Sequence, residues 1–334
     1  MTHTRLHPAA PVTRGGQDVP RWRIPAGADP TRVNLAYLYD AFREARSNDH
    51  GDDRTIPAGK DAHENERDAV RHLSASAPHA GFVFRSEQAF LDRVTTYLVK
   101  HQEVGTVIVA GAGLPHLDPR NDLHRHIRSC EAGNRKPRRA SVVYVERDPL
   151  VVAAVRTIAD DDAGVHVVAA DPWDPAAMWN SLHAHSGRSG ILARDHQPVA
   201  LLLAGVMSFH GGTRTEVAEV VQDHLAQLPA GSFLAMTHLF LPEHPDMAAA
   251  ARAFEQALRE FGPGTGSLAT RAEIEAMLAG TRLLPHGIVP AFGWYPDGPP
   301  DPPVCGHFNA AALAQKPLPD ADLPAPPWHP GKPP

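Results

Sequence analysis

Three short apolar runs in the middle of the chain each end in residues that could bind a nucleotide-like ligand. The first run leads into a turn with Gly111 and Gly113, where the missing Cβ atoms let the backbone bend sharply and a ligand come close. The second run ends at Glu146, whose carboxylate could accept two hydrogen bonds from a ribose diol. The third run ends at Asp171, which could accept a hydrogen bond from an adenine amino group.

The runs that precede these residues predict the strands that must position them. Residues 104–110, 141–145 and 165–170 are rich in β-branched side chains and show no polar alternation. This pattern is typical of strands that are buried on both faces of a parallel α/β sheet. Because ligands of such sheets bind at the carboxyl ends of the strands, the glycine turn and the two acids would share one edge.

Two other interpretations of this edge stay open. One is a plain tight turn with two surface acids, and the other is the cofactor site of an NAD(P)-dependent oxidoreductase. Two observations count against the second interpretation. His116 stands where the dinucleotide fingerprint has its third glycine, and Glu146 lies well beyond the roughly 20 residues at which that fingerprint expects its acid.

The composition is that of a soluble enzyme. The chain has 334 residues, 32 basic and 38 acidic side chains and a net charge of −6, so we expect no nucleic-acid partner. Because no apolar run approaches the ~20 residues of a membrane span, we expect no membrane partner either. Cys130 and Cys305 are the only cysteines and residues 1–16 lack an apolar signal core, so the expected location is the cytoplasm.

The pattern along the chain predicts four segments. They are a disordered arm at residues 1–30, a helical cap at 31–102, an α/β domain at 103–316 and a proline-rich tail at 317–334. A polar insertion at 43–57 interrupts the cap. Within the α/β domain, residues 198–205 and 232–237 predict a fourth and a fifth strand, while 282–284 and 304–311 are weaker candidates for the last two.

Several motifs along the chain resemble the actinobacterial S-adenosyl methyltransferase family that was formerly listed as DUF574. The resemblance extends from Thr31 to Pro317. The motifs that carry it are Tyr39-Asp40, Gly59-Lys60-Asp61, Gly111-Ala112-Gly113-Leu114-Pro115, Asn121-x-x-His124, Val143-Tyr144-Val145-Glu146-x-Asp148-Pro149, Ala170-Asp171-x-x-Asp174-Pro175, Pro198-Val199-Ala200-Leu201-Leu202-Leu203 and Leu228-Pro229-x-Gly231-Ser232.

This resemblance implies an α/β, Rossmann-like class I methyltransferase fold with an N-terminal helical cap. Its sheet would be seven-stranded and mostly parallel, with the last strand antiparallel. The implied cofactor is S-adenosyl-L-methionine. Glu146 would hold its ribose and Asp171 its adenine, while Trp173 could stack on the adenine or simply cover the core. The full set of expected cofactor-binding residues is Lys60, Gly111, Ala112, Gly113, Leu114, Glu146, Arg147, Asp171, Pro172 and Trp173.

The chain departs from the family pattern at five places. Two are small: Ala58 replaces a Gly before Gly59-Lys60-Asp61, and Glu146 replaces an Asp. Val109 stands where the family usually has an Asp that helps to hold the methionine end of the cofactor. Glu87-Gln88 replaces the usual Asn-Arg pair. After the fourth predicted strand, Met207-Ser208-Phe209 replaces the usual Leu-His-Phe, and His210 follows.

The loops after strands four and five supply the candidate catalytic residues. In class I methyltransferases the loop after strand four lies beside the methyl group, so His210 and Ser208 are candidates, and His238 after strand five is a third. With 21 histidines in the chain, an ordinary surface or structural role is the alternative for each histidine. We expect no metal site, because the His-x-His pairs fall in helical or loop sequence, where such neighbours diverge.

The sequence therefore predicts a methyltransferase that moves a methyl group from S-adenosylmethionine to a small molecule. One alternative is a family member that binds the cofactor without transferring the methyl group, as a regulator or in another reaction. The NAD(P)-dependent oxidoreductase is the other alternative. The sequence does not name the acceptor, and it leaves a homodimer open as one assembly.

Overall fold

The computed structural model describes most of the region between residues 32 and 318. The described residues are 32–43, 63–116, 118–132, 139–189, 192, 198–294 and 301–318, with four short strand segments at 12–14, 17–19, 46–47 and 55–56. Lys60 lies outside the described residues, as do most of the predicted arm and insertion and the tail from residue 319 onward. Among the described residues, no helix is long and apolar enough to cross a membrane.

A mixed sheet of eight strands forms the centre of the molecule. We label its strands in chain order: β1 (Thr106–Ala110), β2 (Ser141–Glu146), β3 (Val165–Ala169), β4 (Val199–Leu203), β5 (Phe233–Leu239), β6 (Arg282–Leu283), β7 (Val289–Pro290) and β8 (Asn309–Gln315). The order across the sheet is β6-β8-β5-β4-β1-β2-β3, and β7 also pairs with β8. Strands β1 to β5 are parallel, and β8 runs antiparallel to β5.

The predicted α/β architecture with a mostly parallel sheet is confirmed, but the predicted number of seven strands is wrong. The eighth strand is β7, where Val289 and Pro290 pair with Ala311 and Ala310 before the chain enters β8. The last strand also begins later than the 304–311 prediction, because Val304–Phe308 forms a 3-10 turn and the antiparallel ladder starts at Asn309.

The parallel strands are buried because helices cover both faces of the sheet. Every residue of β1, β4 and β5 is buried. Alternate residues point into two apolar cores, so Ile108 lies in one core while Val107 and Val109 lie in the other. Each large aliphatic side chain so buried contributes about 1.5–3 kcal/mol to the free energy of folding.

Nine α-helices are described around the sheet. They are α1 (Leu35–Arg43), α2 (Glu64–Ser76), α3 (Gly81–Lys100), α4 (Leu123–Glu131), α5 (Pro149–Ala159), α6 (Pro175–Ser189), α7 (Arg214–Gln227), α8 (Pro245–Phe261) and α9 (Arg271–Met277). Sequence-encoded caps begin several of them. Asp148 accepts the N–H groups of Leu150 and Val151 at the start of α5, and Thr213 forms a capping box with Glu216 at the start of α7.

Helices α1 to α3, which we call the cap, share a third apolar core with α8. Leu38, Leu73, Phe84 and Phe254 are buried in it, one from each of these helices. Helix α3 also packs on the sheet, because Phe90, one turn and a half beyond Phe84, belongs to a sheet core. The cap and the sheet are therefore joined by one continuous helix.

Asn34 fastens the start of α1 to its neighbours. Its side-chain oxygen accepts the N–H of Ala36 at 2.9 Å, which caps the helix, and its Nδ2 donates to Asp148 at 2.5 Å. Its backbone N–H donates to Glu66 of α2 at 3.1 Å. One residue thus ties α1 to α2 and to the N-cap residue of α5, beside the tip of β2.

We expect Asn34→Ala to lower the free energy of unfolding by about 1–3 kcal/mol, because it removes both the helix cap and a hydrogen bond to a carboxylate. Urea denaturation followed by circular dichroism measures this loss. The matched control is Thr213→Ala, which removes a helix cap with no link to another element and should cost about 1 kcal/mol. A loss for Asn34→Ala no larger than that of the control would show that the bond to Asp148 contributes nothing.

Candidate functional site

A cavity of about 640 Å³ lies between the carboxyl ends of the parallel strands and the helical cap. The glycine turn and the segments that follow β2, β3 and β4 form one side of it, and Tyr39, Arg43 and Glu87 of the cap lie on another. Its volume falls in the range of roughly 300–1,000 Å³ that is usual for small-molecule sites.

The glycine turn after β1 adopts the conformation that its sequence predicts. Gly111 and Gly113 have φ values of +79° and +65°, which side chains with a Cβ rarely adopt. The N–H groups of Gly111 and Ala112 both donate to the carbonyl of Val145, which draws the turn over the tip of β2. A Cβ on Gly111 would collide with Val206, whereas a Cβ on Gly113 would meet no atom within 4 Å. Gly113 therefore leaves open space for a ligand.

Glu146 is buried at the tip of β2 and lines the cavity. Its carboxylate accepts backbone N–H groups from Arg147 at 2.8 Å, Asp148 at 3.0 Å and Gly113 at 3.3 Å. Burial raises the pKa of Glu146, and these backbone hydrogen bonds oppose the shift. A carboxylate has about four acceptor positions, so one more donor, such as a ligand hydroxyl, can be accommodated.

Asp171 and Trp173 line the cavity beyond the tip of β3. Asp171 accepts the N–H of Trp173 at 2.9 Å and forms an ion pair with Arg147 at 3.3 Å. The guanidinium of Arg147 lies 4.0 Å from the centroid of the Trp173 ring, and the indole N–H donates to the carbonyl of Val206 at 3.1 Å. Because the ion pair is largely exposed, it contributes little stability, and a planar ligand can displace Arg147 at small cost.

The structure brings nine of the ten predicted cofactor-binding residues to this one cavity. Lys60, the tenth, lies outside the described residues. The nine that line the cavity are Gly111, Ala112, Gly113, Leu114, Glu146, Arg147, Asp171, Pro172 and Trp173.

The three predicted catalytic residues are not among the cavity-lining residues. Ser208 is buried, and its hydroxyl accepts the N–H of Leu239 at 2.8 Å, so it joins the loop after β4 to β5. His210 is half-buried beside the cavity, with its ring 5.6 Å from that of Trp173. The Nδ1 atom of His210 accepts the N–H of Gly212 at 3.0 Å, which leaves the proton of the neutral ring on Nε2.

His238 is held as a neutral structural group. Its Nδ1 lies 2.8 Å from the carbonyl oxygen of Leu239 and therefore carries the proton, while its Nε2 lies 2.8 Å from Arg214 and therefore accepts. Burial lowers the pKa of His238 to about 4. Both ring nitrogens are thus engaged by protein groups at neutral pH.

Glu87 of α3 lines the cavity, although its only signal in the sequence is a departure from the family pattern. Its Oε2 accepts the hydroxyl of Thr237 at 2.5 Å and the Nδ2 of Asn309 at 3.2 Å. Tyr39 donates a third hydrogen bond to the carboxylate. Burial raises the pKa of Glu87, and the three hydrogen bonds oppose that shift. We name Tyr39, Glu87, Thr237 and Asn309 the Glu87 cluster.

The loop after β4 fits closely against this cluster. Gly205 has a φ of +66°, and a Cβ at this position would lie only 2.6 Å from Oε1 of Glu87. The N–H of Gly205 donates to Oγ1 of Thr237 at 2.8 Å. Only a glycine lets the backbone pass this close to the carboxylate. The positions after β4 and the middle of α3 are thereby fixed against each other.

Comparisons with known proteins agree on a family and a fold. A family model for S-adenosyl methyltransferases matches residues 56–317. Two solved structures are similar along most of their length. A DUF574 family protein from Streptomyces avermitilis is 23% identical with a TM-score of 0.69, and the match covers 86% of this chain and 98% of that one. A Thermobifida fusca protein named for a proposed methyltransferase activity is 24% identical with a TM-score of 0.70, covering 88% and 98%. No curated protein matches.

The Glu87 cluster predicts a pH dependence of stability. A carboxyl group whose pKa is higher in the folded than in the unfolded state weakens folding as the pH rises from the unfolded value, near 4.5, through the folded one. We therefore expect the stability of the wild type, measured relative to Glu87→Gln at the same pH, to fall as the pH rises above about 4.5. Urea unfolding of both proteins at each pH measures the difference. A difference that stays constant with pH would contradict the raised pKa.

Proposed function

The chain belongs to the S-adenosyl methyltransferase family, and from this premise we propose that it transfers the methyl group of S-adenosylmethionine to a small molecule bound beneath the helical cap. The observation that carries the proposal is the cavity itself. It joins the strand tips, where the cofactor would lie, to the cap residues Tyr39 and Phe84, which the cofactor does not need. A cavity of this size suits a small acceptor better than a macromolecule.

The residues at the strand tips suit the adenosine part of the cofactor. Glu146 has an acceptor position left for a ribose hydroxyl, and Gly113 leaves space for close approach. Asp171 would accept from the adenine amino group, with the Trp173 ring beside the base after Arg147 moves aside. The charge and hydrogen-bonding capacity of these groups match the ligand.

When bound, S-adenosylmethionine supplies an electrophilic methyl group on a sulfonium centre. The protein's contribution would be to hold the acceptor in line with that methyl group and to exclude water. The cap supports this role, because Tyr39 and Phe84 line the cavity together with Phe209 from the loop after β4. These aromatic rings would shield the acceptor and fix its orientation.

Positioning would supply most of the catalysis, because the predicted catalytic residues are engaged elsewhere. The hydroxyl of Ser208 accepts the N–H of Leu239. The ring of His238 is hydrogen-bonded to the carbonyl of Leu239 and to Arg214. His210 is the remaining candidate, since it is half-buried next to Trp173. To accept a proton on Nδ1 it would have to give up the N–H of Gly212, so we propose that it helps to orient the acceptor as a hydrogen-bond donor.

We expect Glu146→Ala to weaken the binding of S-adenosylhomocysteine at least about tenfold, because a hydrogen bond to a charged group is worth ~1.5–3 kcal/mol. Isothermal titration calorimetry measures the affinity. Glu219→Ala, at an exposed position on α7, is the matched control and should bind like the wild type. Unchanged binding by Glu146→Ala would remove this residue from the site, and tight binding of NAD without a response to S-adenosylhomocysteine would overturn the proposed function.

We expect His210→Ala to keep methyl transfer within about tenfold of the wild-type rate, because loss of a general base usually slows a reaction ~10²–10⁴-fold and orientation by one neutral hydrogen bond contributes less. The assay follows release of S-adenosylhomocysteine over a panel of hydroxyl, amine and thiol acceptors. His244→Ala, at the exposed start of α8, is the control. A loss of several hundredfold would instead identify His210 as the base. Absence of transfer to every acceptor would favour a family member that binds the cofactor without methylating.

A further inference from the structure

The carboxylate of Glu87 is buried in the cavity wall, and it forms no ion pair with any residue that the structure describes. Its three hydrogen-bond donors, Tyr39, Thr237 and Asn309, are all uncharged. Three donors leave one of about four acceptor positions unused. Since Glu87 lines the cavity, a ligand there can reach the remaining position.

A buried carboxylate without a cation is unfavourable for folding. Neutral hydrogen bonds recover part of the lost hydration, but a buried full charge is usually paired with a charge of opposite sign. A glutamine of the same shape would avoid this penalty and could still accept the hydrogen bonds of Thr237 and Asn309. A glutamate here is therefore best explained by a positively charged group that enters the cavity with a ligand.

The position of Glu87 relative to Glu146 indicates which ligand group that is. Glu146 ends β2, on one side of β1, whereas Gly205, next to Glu87, follows β4 on the other side of β1. Neighbouring strands are ~4.8 Å apart, so the two carboxylates lie on opposite sides of the glycine turn, roughly 10 Å apart. A ligand whose ribose lies at Glu146 and which crosses the glycine turn would present its far end to Glu87.

In S-adenosylmethionine the ribose and the amino-acid group are at opposite ends of the molecule, and the amino-acid end carries an ammonium. We propose that Glu87 binds this ammonium and thereby anchors the end of the cofactor opposite Glu146. Val109 at the tip of β1 lines the same cavity and offers no charge, so Glu87 would supply the negative group from the cap instead. The inference rests on the proposed function, because it assumes that the cofactor occupies this cavity.

The test compares ligands that share the adenosine part and differ in the amino-acid part. S-adenosylhomocysteine carries the ammonium and the carboxylate, its decarboxylated analogue carries the ammonium alone, and 5′-methylthioadenosine carries neither. Calorimetry with the wild type and Glu87→Gln at pH 7.5 should show at least about tenfold weaker binding of the first two ligands to the variant. Binding of 5′-methylthioadenosine should change less than about threefold.

Glu219→Gln, at an exposed position on α7 away from the cavity, is the matched control, because it makes the same change of charge. It should retain the wild-type affinity for all three ligands. If Glu87→Gln weakens all three ligands equally, Glu87 acts only through the shape of the site and the inference is wrong.

Unchanged binding of all three ligands to Glu87→Gln would also overturn the inference, and it would leave Glu87 facing a cationic acceptor instead. If the wild type binds none of the three ligands, the proposed function itself fails, and the inference fails with it. The two failures are therefore distinguishable in one set of titrations. A thermal unfolding curve for each variant establishes that it is folded before the affinities are compared.

Discussion

Parallel strands all end at the same edge of a sheet, and the position of every residue in the cavity wall follows from this constraint. The chain leaves β1, β2, β3 and β4 at that edge, so the glycine turn, Glu146, Asp171 and Gly205 meet there although they are far apart in sequence. Strand β8 runs in the opposite direction, so it is the start of this strand that lies at the same edge. Its first residue, Asn309, pairs with Leu239 at the end of β5, and it therefore reaches the same edge and the Glu87 carboxylate.

The helical cap covers part of this edge and so forms the cavity, and it contributes a buried carboxylate, Glu87. A buried carboxylate weakens folding unless hydrogen-bond donors satisfy all its acceptor positions. The donors to Glu87 come from α1, β5 and β8. Residues retained in spite of such a penalty are found mainly at functional sites, where stability is given up for binding. A cationic ligand would therefore stabilise the same cluster that positions the cap against the sheet.

Local sequence signals predicted the parallel strands and the edge where their tips meet, because each signal lies within a few residues. The glycine turn, the acids at the strand tips and the Asp148 cap all formed where the sequence indicated. Long-range contacts were not predictable in this way. Nothing near Ser208 or His238 in the sequence reveals that they would be buried against Leu239 and Arg214, and Glu87 meets Asn309 across more than 200 residues. The extra strand β7 is likewise set by its partner β8 and is too short to show a period.

The two buried carboxylates of the cavity differ in what fixes them, and this difference links ligand binding to the cap. Glu146 is held by backbone N–H groups of its own turn and of the glycine turn, so its position belongs to the sheet. Glu87 is held by side chains from three separate elements and belongs to the cap as much as to the sheet. A ligand in contact with both would bridge the sheet and the cap. By linkage, a ligand that binds only the folded arrangement would stabilise the contact between the cap and the sheet.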